Sequence, residues 1–283
     1  MSSGTLSTTC LSCGSDLPHR AELDGVVHRC DRCGFGWTVS DPDTAPVRYE
    51  SEYFTGGGYE DYFQPAPRRF EAARRLRWLS GLVRPSTLVE AGCAGGYFLE
   101  AARDAGFAVT GVELSRTAAN FATERLGVPV LQGRFEQVAA TLRADVVCAF
   151  HVLEHVDDPR LLLQTARQVL APGGWLALEV PNIASVAAQR FGRQWPGLQP
   201  EYHRWHFTPE SLTKLLVGSG FDVVRRDTAV FRYYMPLRYR LRHARQVLPP
   251  DLISMRSPRL THPWRADLLR VIARRPTSGR SDR

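Results

Sequence analysis

The chain has 283 residues, with 36 Lys and Arg against 29 Asp and Glu and a formal net charge of +7. This length accommodates one complete α/β domain and an accessory module, since domains usually span about 100–200 residues. No stretch approaches the roughly 18 apolar residues of a membrane span, and the start, MSSGTLSTTC, lacks the basic and apolar regions of a secretory signal. We therefore expect a cytoplasmic protein without a membrane span.

The positive charge is concentrated at the C-terminal end. Residues 231–283 hold 13 Arg and 3 Asp, which leaves 23 basic and 26 acidic residues in 1–230. Lys214 is the only lysine, so the basic residues are almost all arginine, as in proteins encoded by GC-rich genomes. The charge of the main body therefore does not indicate a nucleic-acid partner.

Four cysteines near the N-terminus have the spacing of a metal site. Cys10, Cys13, Cys30 and Cys33 form two C-x-x-C pairs, each followed by glycine, so that each tight turn carries two thiolates. Disulfides are disfavoured in the expected compartment. We predict a four-cysteine zinc-binding module over residues 1–39, in which a structural Zn²⁺ supplies folding free energy that so short a segment lacks.

Residues 40–67 are rich in Pro, Gly, Asp and Tyr and show no sustained period. We interpret them as a linker or a lid. Their aromatic content is too high for a solvated tether, so we expect them to pack over another part of the protein. From residue 68 to 82, apolar residues recur at helical spacing, which predicts a helix leading into the main domain.

Beyond this helix, short apolar runs alternate with helical patterns. Predicted strands cover residues 87–91, 108–113, 128–132, 145–150, 175–180, 221–229 and 269–274. Predicted helices cover residues 96–105, 115–126, 134–142, 159–170 and 208–219. A Pro-Gly-Gly turn at 172–174 precedes the fifth strand, and Thr208 is a predicted N-cap. The alternation predicts an α/β domain with a parallel, doubly wound sheet over residues 68–230 and 268–276.

Residues 231–267 are predicted to form a basic insertion between the last two strands. Apolar residues lie among arginines in this segment. Such a pattern suits a solvated basic helix, a substrate lid or homodimer contact, or a segment that binds an anionic surface or a phosphorylated substrate. These alternatives stay open at this point, as does the oligomeric state.

A glycine turn follows a predicted strand in VEAGCAGGYF. A dinucleotide fingerprint requires glycine at positions 92, 94 and 97, but positions 94 and 97 are Ala and Tyr. The pattern that fits is E-x-G-x-x-G-G, in which Glu90 ends the strand and suits an ammonium group rather than a phosphate. Glu113 closes the next strand, where a carboxylate can accept both hydroxyls of a ribose. The competing interpretation is that the glycines only permit close packing of a helix.

An ammonium group at one end and a ribose at the other describe S-adenosylmethionine. The stretch resembles the first two motifs of the class I S-adenosylmethionine-dependent methyltransferases, and the resemblance extends over residues 68–275. It implies a doubly wound, Rossmann-like, seven-stranded sheet, preceded here by a small module similar to a zinc ribbon. The cofactor-binding residues that it implies are Glu90, Gly92, Cys93, Ala94, Gly95, Gly96, Tyr97, Phe98, Glu113, Leu114, Ser115, Gly133, Arg134, Phe135, Phe150 and His151.

Two parts of this set have distinct expected contacts. Residues 133–135 follow the third strand and would hold the adenine, although Arg134 departs from the acidic or small residue common in the family. Phe150 and His151 would lie beside the methionine part of the cofactor. The surrounding segment, ADVVCAFHVLEHVDDP, is similar to ubiquinone-type O-methyltransferases and to many natural-product methyltransferases.

The HVLEH motif carries the first candidates for catalysis. If it opens a helical turn, His151, Glu154 and His155 share one face at the carboxyl end of the sheet, where ligands bind. Histidine titrates near neutral pH, so we predict His155 as general base, with Glu154 orienting it. The alternative is a buried hydrogen-bond network that holds the loop.

A second histidine pair, His203 and His206, precedes the predicted helix at 208–219. The family has a histidine in this region, which borders the substrate pocket, and for His206 a capping or core role competes with catalysis. A further alternative is a divalent metal site formed by the HVLEH residues and one of this pair, as in small-RNA-terminal methyltransferases. The first motif position is acidic there, whereas here it is His151.

The combined features are similar to enzymes of bacterial sugar and secondary-metabolite pathways. They predict an S-adenosylmethionine-dependent methyltransferase with a small-molecule substrate, with O-methylation favoured over C- or N-methylation. One alternative is an RNA methyltransferase with a zinc module, which the acidic main body disfavours because base methylation requires a basic track. Another is a non-catalytic protein that keeps the fold to bind the cofactor.

Overall fold

The computed structural model describes residues 9–16, 19–39, 65–229 and 266–277. The strands are β1 (His19–Glu22), β2 (Val27–Cys30), β3 (Gly36–Thr38), β4 (Thr87–Ala91), β5 (Ala108–Glu113), β6 (Val130–Gln132), β7 (Ala144–Phe150), β8 (Leu170–Pro181), β9 (Trp205–His206), β10 (Asp222–Ala229) and β11 (Leu268–Arg274). The α-helices are α1 (Pro65–Ser80), α2 (Tyr97–Asp104), α3 (Arg116–Leu126), α4 (Phe135–Val138), α5 (Pro159–Val169), α6 (Val186–Phe191) and α7 (Pro209–Gly218).

Seven strands form one sheet in the order β10-β11-β8-β7-β4-β5-β6. The strands from β8 to β6 in this order run parallel, whereas β11 lies antiparallel to both β8 and β10. From β4 the chain builds outward to β6 and then places β7 on the other side of β4. The strand order therefore reverses between β4 and β7, and in open α/β sheets ligands bind at the carboxyl ends of the strands at such a point.

Helices cover both faces of this sheet because successive strand residues point to opposite sides. In β7, Val146 and Cys148 pack in the cluster that contains residues of α1, α2 and α3. Val147 and Ala149 pack in the other cluster, with residues of α4, α5 and α7. This three-layer arrangement confirms the predicted doubly wound α/β fold.

The seven predicted strands of the main sheet are all present, and three details differ. The predicted parallel sheet has one antiparallel strand, β11, which inserts between β8 and β10. The Pro-Gly-Gly turn lies within β8. Leu170 before it pairs with Ala144 of β7, and Trp175 after it pairs with Val146, so the β8 residues between them form a bulge. The helix predicted over 134–142 is the short α4 followed by one 3₁₀ turn.

A second, antiparallel sheet has the order β1-β2-β3-β9. Its first three strands come from the segment with the four cysteines, and β9 comes from the main domain. The Phe35 ring stacks on Trp205 and meets Phe207 edge-on, each with ring centroids 5.6 Å apart. Backbone pairing and a shared aromatic core therefore join the four-cysteine segment to the main domain.

Two predicted segments fall largely outside the described residues. Of the predicted lid at 40–67, only 65–67 are described, and they open α1 three residues before its predicted start. Of the predicted insertion at 231–267, only 266 and 267 are described. Among the helices in the described ranges, none combines the length and apolar character needed to cross a bilayer.

Candidate active site

The loop after β4 makes a tight turn that requires glycine at its first position. Gly92 has a φ of +67°, and a Cβ at this position would lie 2.5 Å from Cγ2 of Val152. A residue with a side chain would meet both backbone strain and a collision. The N–H groups of Gly92 and Cys93 donate to the Val112 carbonyl at 2.8 and 3.1 Å, which holds the turn against β5.

The end of the loop is fixed by packing and by an arginine. A Cβ at Gly96 would lie 2.5 Å from Cδ1 of Leu126 in α3, so the close-packing interpretation applies to this glycine. The Gly95 carbonyl accepts a 2.9 Å hydrogen bond from Nη2 of Arg125. The Arg125 guanidinium also lies 4.0 Å from the centroid of the Tyr97 ring. Arg125 thus ties the loop to α3.

Glu113 is buried at the end of β5 with both carboxylate oxygens held by backbone. Its Oε2 accepts from the Ala94 N–H and its Oε1 from the Ser115 N–H, both at 2.8 Å. Burial raises the pKa of Glu113, and these N–H groups offset part of that rise. Each carboxylate oxygen can accept more than one hydrogen bond, so this anchored group can also accept the hydroxyls of a ribose.

Glu90 near the end of β4 is only 4% exposed. Its Oε2 has no hydrogen-bond partner within the described part of the chain. Burial raises the pKa of Glu90 well above its usual range, and Arg75 is the main charge that opposes the rise. A buried carboxylate oxygen without a donor costs free energy, and the ammonium group of a ligand would satisfy it.

Of the residues predicted to contact the adenine, 133–135, Gly133 is hydrogen-bonded to Glu113, and the contact itself stays a prediction. The Gly133 N–H donates to the Glu113 carbonyl at 2.9 Å, and Phe135 is buried. The Arg134 guanidinium pairs with Asp157 at 2.8 Å. Its charge is therefore directed to the loop after β7.

The two residues after Glu113 differ in what they can offer a ligand. Leu114 is 39% exposed and presents an apolar side chain at the surface directly after Glu113. The Ser115 hydroxyl caps α3 by accepting from the Ala118 N–H at 3.3 Å. Leu114 is thus the better candidate for a contact with an aromatic base.

Aromatic side chains form the core below the glycine loop. Phe98 and Phe150 meet edge-on with centroids 4.8 Å apart, and the Arg75 guanidinium lies 4.7 Å from the centroid of Phe150. Tyr97 is buried at the start of α2. Cys93 is also buried, and burial raises the pKa of its thiol well above the usual range, as suits a packing role.

The HVLEH motif forms a hydrogen-bonded turn rather than the predicted helical turn. His151 has a φ of +56°, an uncommon conformation for a residue with a side chain. Its N–H donates to the Glu179 carbonyl, and the His155 N–H donates to the Val152 carbonyl, both at 2.9 Å. This left-handed start interrupts the helical turn, so the helical face predicted for His151, Glu154 and His155 does not form.

His151 is held as an imidazolium by two buried carboxylates. Its Nδ1 donates to Oε1 of Glu154 at 3.1 Å, and its Nε2 lies 3.4 Å from Oε1 of Glu179. Burial alone would lower the pKa of His151, but the two carboxylates raise it to about 9. Since His151 is already protonated at neutral pH, it is poorly suited to accept a proton there.

The same network extends into α1. Arg75 pairs with Glu71 and with Glu179, in each case with Nη2 and Oε1 2.6 Å apart. On the other side of His151, burial opposes the ionisation of Glu154, yet the hydrogen bond from His151 and the neighbouring histidines lower its pKa to about 2. Glu154 is therefore a carboxylate at neutral pH.

His155 has a different orienting partner from the one predicted. Its Nδ1 donates to the Tyr202 carbonyl at 3.0 Å, whereas Glu154 bonds to His151. The prediction that Glu154 orients His155 is therefore wrong, because a backbone carbonyl takes this role. Burial lowers the pKa of His155, so the ring is neutral at neutral pH, with its lone pair on Nε2.

The two histidines of the second pair, His203 and His206, contact different parts of the protein. His203 meets His155 edge-on with centroids 4.7 Å apart, and its Nδ1 donates to the Gly197 carbonyl at 3.0 Å. His206 instead lies with Nε2 2.8 Å from Oγ1 of Thr38 in β3. Burial lowers the pKa of His203 to about 3 and that of His206 to about 4, so both are neutral.

Two side-chain groups in this region could each hold a metal ion. The first group, within 4.8 Å of one another, is Glu154, His155 and His203. The second is Glu71, His151 and Glu179. A cation in the second group would have to displace the proton of His151. The first group thus contains three residues of the alternative metal site but not His151, which is hydrogen-bonded to Glu154, and that site stays a prediction.

The four cysteines come together as their spacing predicts. The sulfur atoms of Cys10 and Cys33 are 3.7 Å apart, and those of Cys13 and Cys30 are 3.8 Å apart. All four lie within 4.8 Å of one another. Tetrahedral zinc with Zn–S bonds of about 2.3 Å requires sulfur atoms about 3.8 Å apart, so this donor set fits zinc.

Sequence reasoning missed four residues of this region. Glu71 and Arg75 lie one helical turn apart in α1, in a run of arginines that gave no reason to single them out. Glu179 had a signal, because it is an acid inside the apolar strand LALEV. Thr38 had none, since its contact with His206 joins residues 168 positions apart.

Comparisons with known proteins point to one family. A family profile described as "Methyltransferase domain" matches residues 66–226. The chain is 33% identical over 149 residues to a ubiquinone biosynthesis O-methyltransferase of Caulobacter sp. (strain K31), covering 48% of this chain and 59% of that protein. It is 35% identical over 184 residues to a protein of the same name from Methylobacterium sp. (strain 4-46), covering 61% and 73%. The chain thus spans about 59% of the length of the first relative.

The fold also has solved counterparts. The structure of magnesium protoporphyrin IX methyltransferase from Synechocystis PCC 6803 with bound SAH superposes with a TM-score of 0.55 at 14% identity. The match covers 79% of this chain and 97% of that one. At this identity the likeness concerns the fold alone, and it agrees with the seven-stranded sheet described above.

Proposed function

Since this chain belongs to the methyltransferase domain family, we propose that it transfers a methyl group from S-adenosylmethionine to a small-molecule acceptor. The observation that carries the proposal is the pair of buried carboxylates, Glu90 and Glu113, on the adjacent strands β4 and β5, next to the point where the strand order reverses. The unpartnered oxygen of Glu90 suits the cofactor's ammonium group. The anchored carboxylate of Glu113 suits the ribose hydroxyls.

The remaining predicted cofactor residues extend along the same edge of the sheet. Between the two acids lies the glycine loop, whose small side chains let a ligand approach. Leu114 and residues 133–135 lie beyond Glu113, where the adenine would bind. On the neighbouring strand β7, Cys148 pairs with Glu90. Phe150 ends this strand and His151 follows it, where the methionine part would bind. When bound, the cofactor supplies an electrophilic methyl group on a good leaving group.

We propose that His155 is the general base that removes the proton of the acceptor hydroxyl. In-line transfer requires the acceptor oxygen to lose its proton as it bonds to the methyl carbon. The neutral ring of His155 can take this proton at Nε2, because Nδ1 is already bonded to the Tyr202 carbonyl. The nearby Glu154 carboxylate favours the imidazolium that results. Holding the ring from the backbone sets the direction in which it accepts.

The acceptor class follows from the curated relatives. The two relatives described above are named as ubiquinone biosynthesis O-methyltransferases, which supports an oxygen acceptor in this chain. We propose a hydroxyl on a sugar or on a secondary-metabolite scaffold, as the sequence resemblance implies. The main body of the chain is slightly acidic, which suits a small molecule better than a nucleic acid.

We also propose a structural zinc ion on the four cysteines. The spacing of the sulfur atoms fits tetrahedral coordination. The hydrogen bond between Cys10 and Cys33 lowers the pKa of the Cys10 thiol despite its burial, and a metal would complete that deprotonation. The ion would hold together the two turns that flank β1 and β2.

Calorimetry and label transfer test the proposed function together. The full chain is titrated with S-adenosylhomocysteine and, as a control, with NAD⁺. It is then incubated with methyl-labelled S-adenosylmethionine and one acceptor at a time: 3,4-dihydroxybenzoate, UDP-glucose, a metabolite extract or total RNA. We expect binding of the nucleoside alone and label in the small-molecule fractions. Binding of NAD⁺ in its place, or label in RNA alone, would overturn the proposal.

A further inference from the structure

The four-cysteine segment reaches the acceptor side of the proposed active site through the backbone. In the pairing of β3 with β9, Gly36 faces His206 and Trp37 faces Trp205. Beyond this pair, the Thr38 N–H donates to the Arg204 carbonyl at 2.9 Å. The last residues of the segment are therefore paired with the stretch of chain that carries both histidines of the second pair.

The Thr38 hydroxyl settles the direction of two further hydrogen bonds. Its Oγ1 lies 2.5 Å from the His203 carbonyl oxygen and 2.8 Å from Nε2 of His206. A carbonyl oxygen can only accept, so the Thr38 hydroxyl donates its single proton to the backbone carbonyl of His203. The Thr38 oxygen must then accept from His206, whose proton consequently lies on Nε2. One hydroxyl thus fixes both the backbone at His203 and the tautomer of His206.

The stretch held by Thr38 in turn holds the HVLEH turn. The N–H groups of Arg204 and Trp205 both donate to the Glu154 carbonyl, at 2.8 and 3.1 Å. The indole Nε1 of Trp205 donates to the Val156 carbonyl at 2.7 Å. These bonds fix the backbone on both sides of His155, and the Tyr202 carbonyl holds its ring.

The metal-binding turns are themselves anchored to the main domain. The Thr208 hydroxyl donates to the Cys33 carbonyl at 3.0 Å, in the second turn. In the first turn, Nε of Arg160 donates to the Leu11 carbonyl at 2.6 Å, and the Ser12 hydroxyl donates to the main domain at α7. The position of the two turns therefore determines where β3 lies.

We propose that the four-cysteine segment holds the acceptor side of the active site in place, with Thr38 as the positioning residue for His203, His206 and, through them, His155. The inference rests on the proposed function for the role of His155. The contacts of the four-cysteine segment lead to the HVLEH turn, the second histidine pair, α5 and the start of α7. None of them involves the glycine loop, Glu90 or Glu113. Disturbing this segment should therefore loosen the acceptor side and spare cofactor binding.

Two variants of Thr38 in the full, zinc-loaded chain test the inference. Thr38→Val keeps the shape of the side chain but removes the hydroxyl, and Thr38→Ser keeps the hydroxyl. Long-range ¹H–¹⁵N spectra read the tautomer of each histidine, and amide exchange reads residues 202–206. We expect Thr38→Val to shift the His206 signals and raise exchange about tenfold, since a buried donor loses its partner. Thr38→Ser should match the wild type.

Two further measurements separate positioning from a general loss of structure. Thr38→Val should keep one zinc ion per chain and bind S-adenosylhomocysteine within about twofold of the wild type. Removal of zinc from the wild type by a chelator should raise exchange at 202–206 in the same direction. Unchanged histidine signals and unchanged amide exchange in Thr38→Val would overturn the inference. A loss of S-adenosylhomocysteine affinity as large as the rise of about tenfold in exchange would also overturn it. If the wild type binds no nucleoside, the proposed function fails, and the tautomer and exchange results still decide the positioning role.

Discussion

Replacing Glu90 with Gln should make the unliganded protein more stable and its cofactor binding weaker. Glu90 is almost fully buried, and one of its oxygens has no hydrogen-bond donor in the described ranges. Burial raises its pKa well above the usual 4.5. A carboxyl whose folded pKa lies above its unfolded value imposes a penalty that is absent below the unfolded pKa and grows as pH rises. Glutamine has no charge to bury.

The two effects have opposite signs and measurable size. Relief of a buried, poorly paired charge is partly cancelled by the unpaired amide of glutamine, which leaves a gain of about 1–2 kcal/mol. For a domain of this size that gain corresponds to a rise in Tm of about 2–8 °C. Loss of a charge-assisted hydrogen bond to the ammonium group, worth about 1.5–3 kcal/mol, weakens nucleoside binding about 10- to 150-fold.

Scanning calorimetry at several pH values and titration with S-adenosylhomocysteine measure both quantities. The gain in Tm should be present at pH 8 and vanish near pH 4.5. Glu136→Gln, in the first turn of α4, serves as the control and should change the free energy of unfolding by less than about 0.5 kcal/mol. If Glu90→Gln lowered the Tm at pH 8 and left nucleoside affinity intact, Glu90 would be a structural acid and the reasoning would be refuted.

Three other outcomes follow from the structure. Gly92→Ala should lose more stability than Gly127→Ala. Both positions have positive φ, which costs alanine about 1–2 kcal/mol. At position 92 the new Cβ would also collide with Val152, whereas at position 127 it would meet no atom within 4 Å. Equal losses in urea unfolding would contradict the close contact. The pKa of His151 is raised to about 9 in the folded protein. Protonated His151 therefore stabilises the folded state by at most about 3 kcal/mol. This contribution is complete below pH 6.5 and is lost as the pH rises through 9. The difference between wild type and His151→Asn in urea unfolding should follow that curve, and a difference independent of pH would argue against the imidazolium. Finally, Cys33→Ser should lose its zinc and a substantial part of its thermal stability, whereas Cys93→Ala should keep one zinc ion per chain by atomic emission; equal zinc content in the two would rule out the four-cysteine site.

The main sheet could be predicted because its strands are local patterns. β7 is a buried apolar run between a loop and the HVLEH turn, and its bounds follow from hydrophobicity alone. The direction of β11 could not be predicted, because it depends on where that strand inserts between β8 and β10. The Pro-Gly-Gly sequence favours a turn. In the structure β8 pairs with β7 on both sides of it, so these residues form a bulge within the strand.

The cofactor side of the site was predictable to a similar degree. Glu90 and Glu113 stand near strand ends, so a strand prediction already places them at one edge of the sheet. What the sequence lacked was the hydrogen-bond environment. That Glu113 is anchored by the Ala94 and Ser115 N–H groups, and that Glu90 lacks a donor among the described residues, depends on the folded loop.

The acceptor side was harder because its contacts are distant in sequence. The carbonyl that orients His155 belongs to Tyr202, 47 residues away, and backbone carbonyls leave no mark in a sequence. The positive φ of His151 broke the expected helical turn. Thr38 reaches this region only through the pairing of β3 with β9, a two-residue strand too short to predict.

The most direct test of the central claim is a crystal structure of the chain with S-adenosylhomocysteine. We expect the amino group of the ligand within about 2.7–3.2 Å of Glu90 and both ribose hydroxyls at the same distance from Glu113. The sulfur atom should lie on the side of the HVLEH turn. A nucleoside bound away from the edge formed by β4 and β5, with both carboxylates left without a ligand contact, would contradict it.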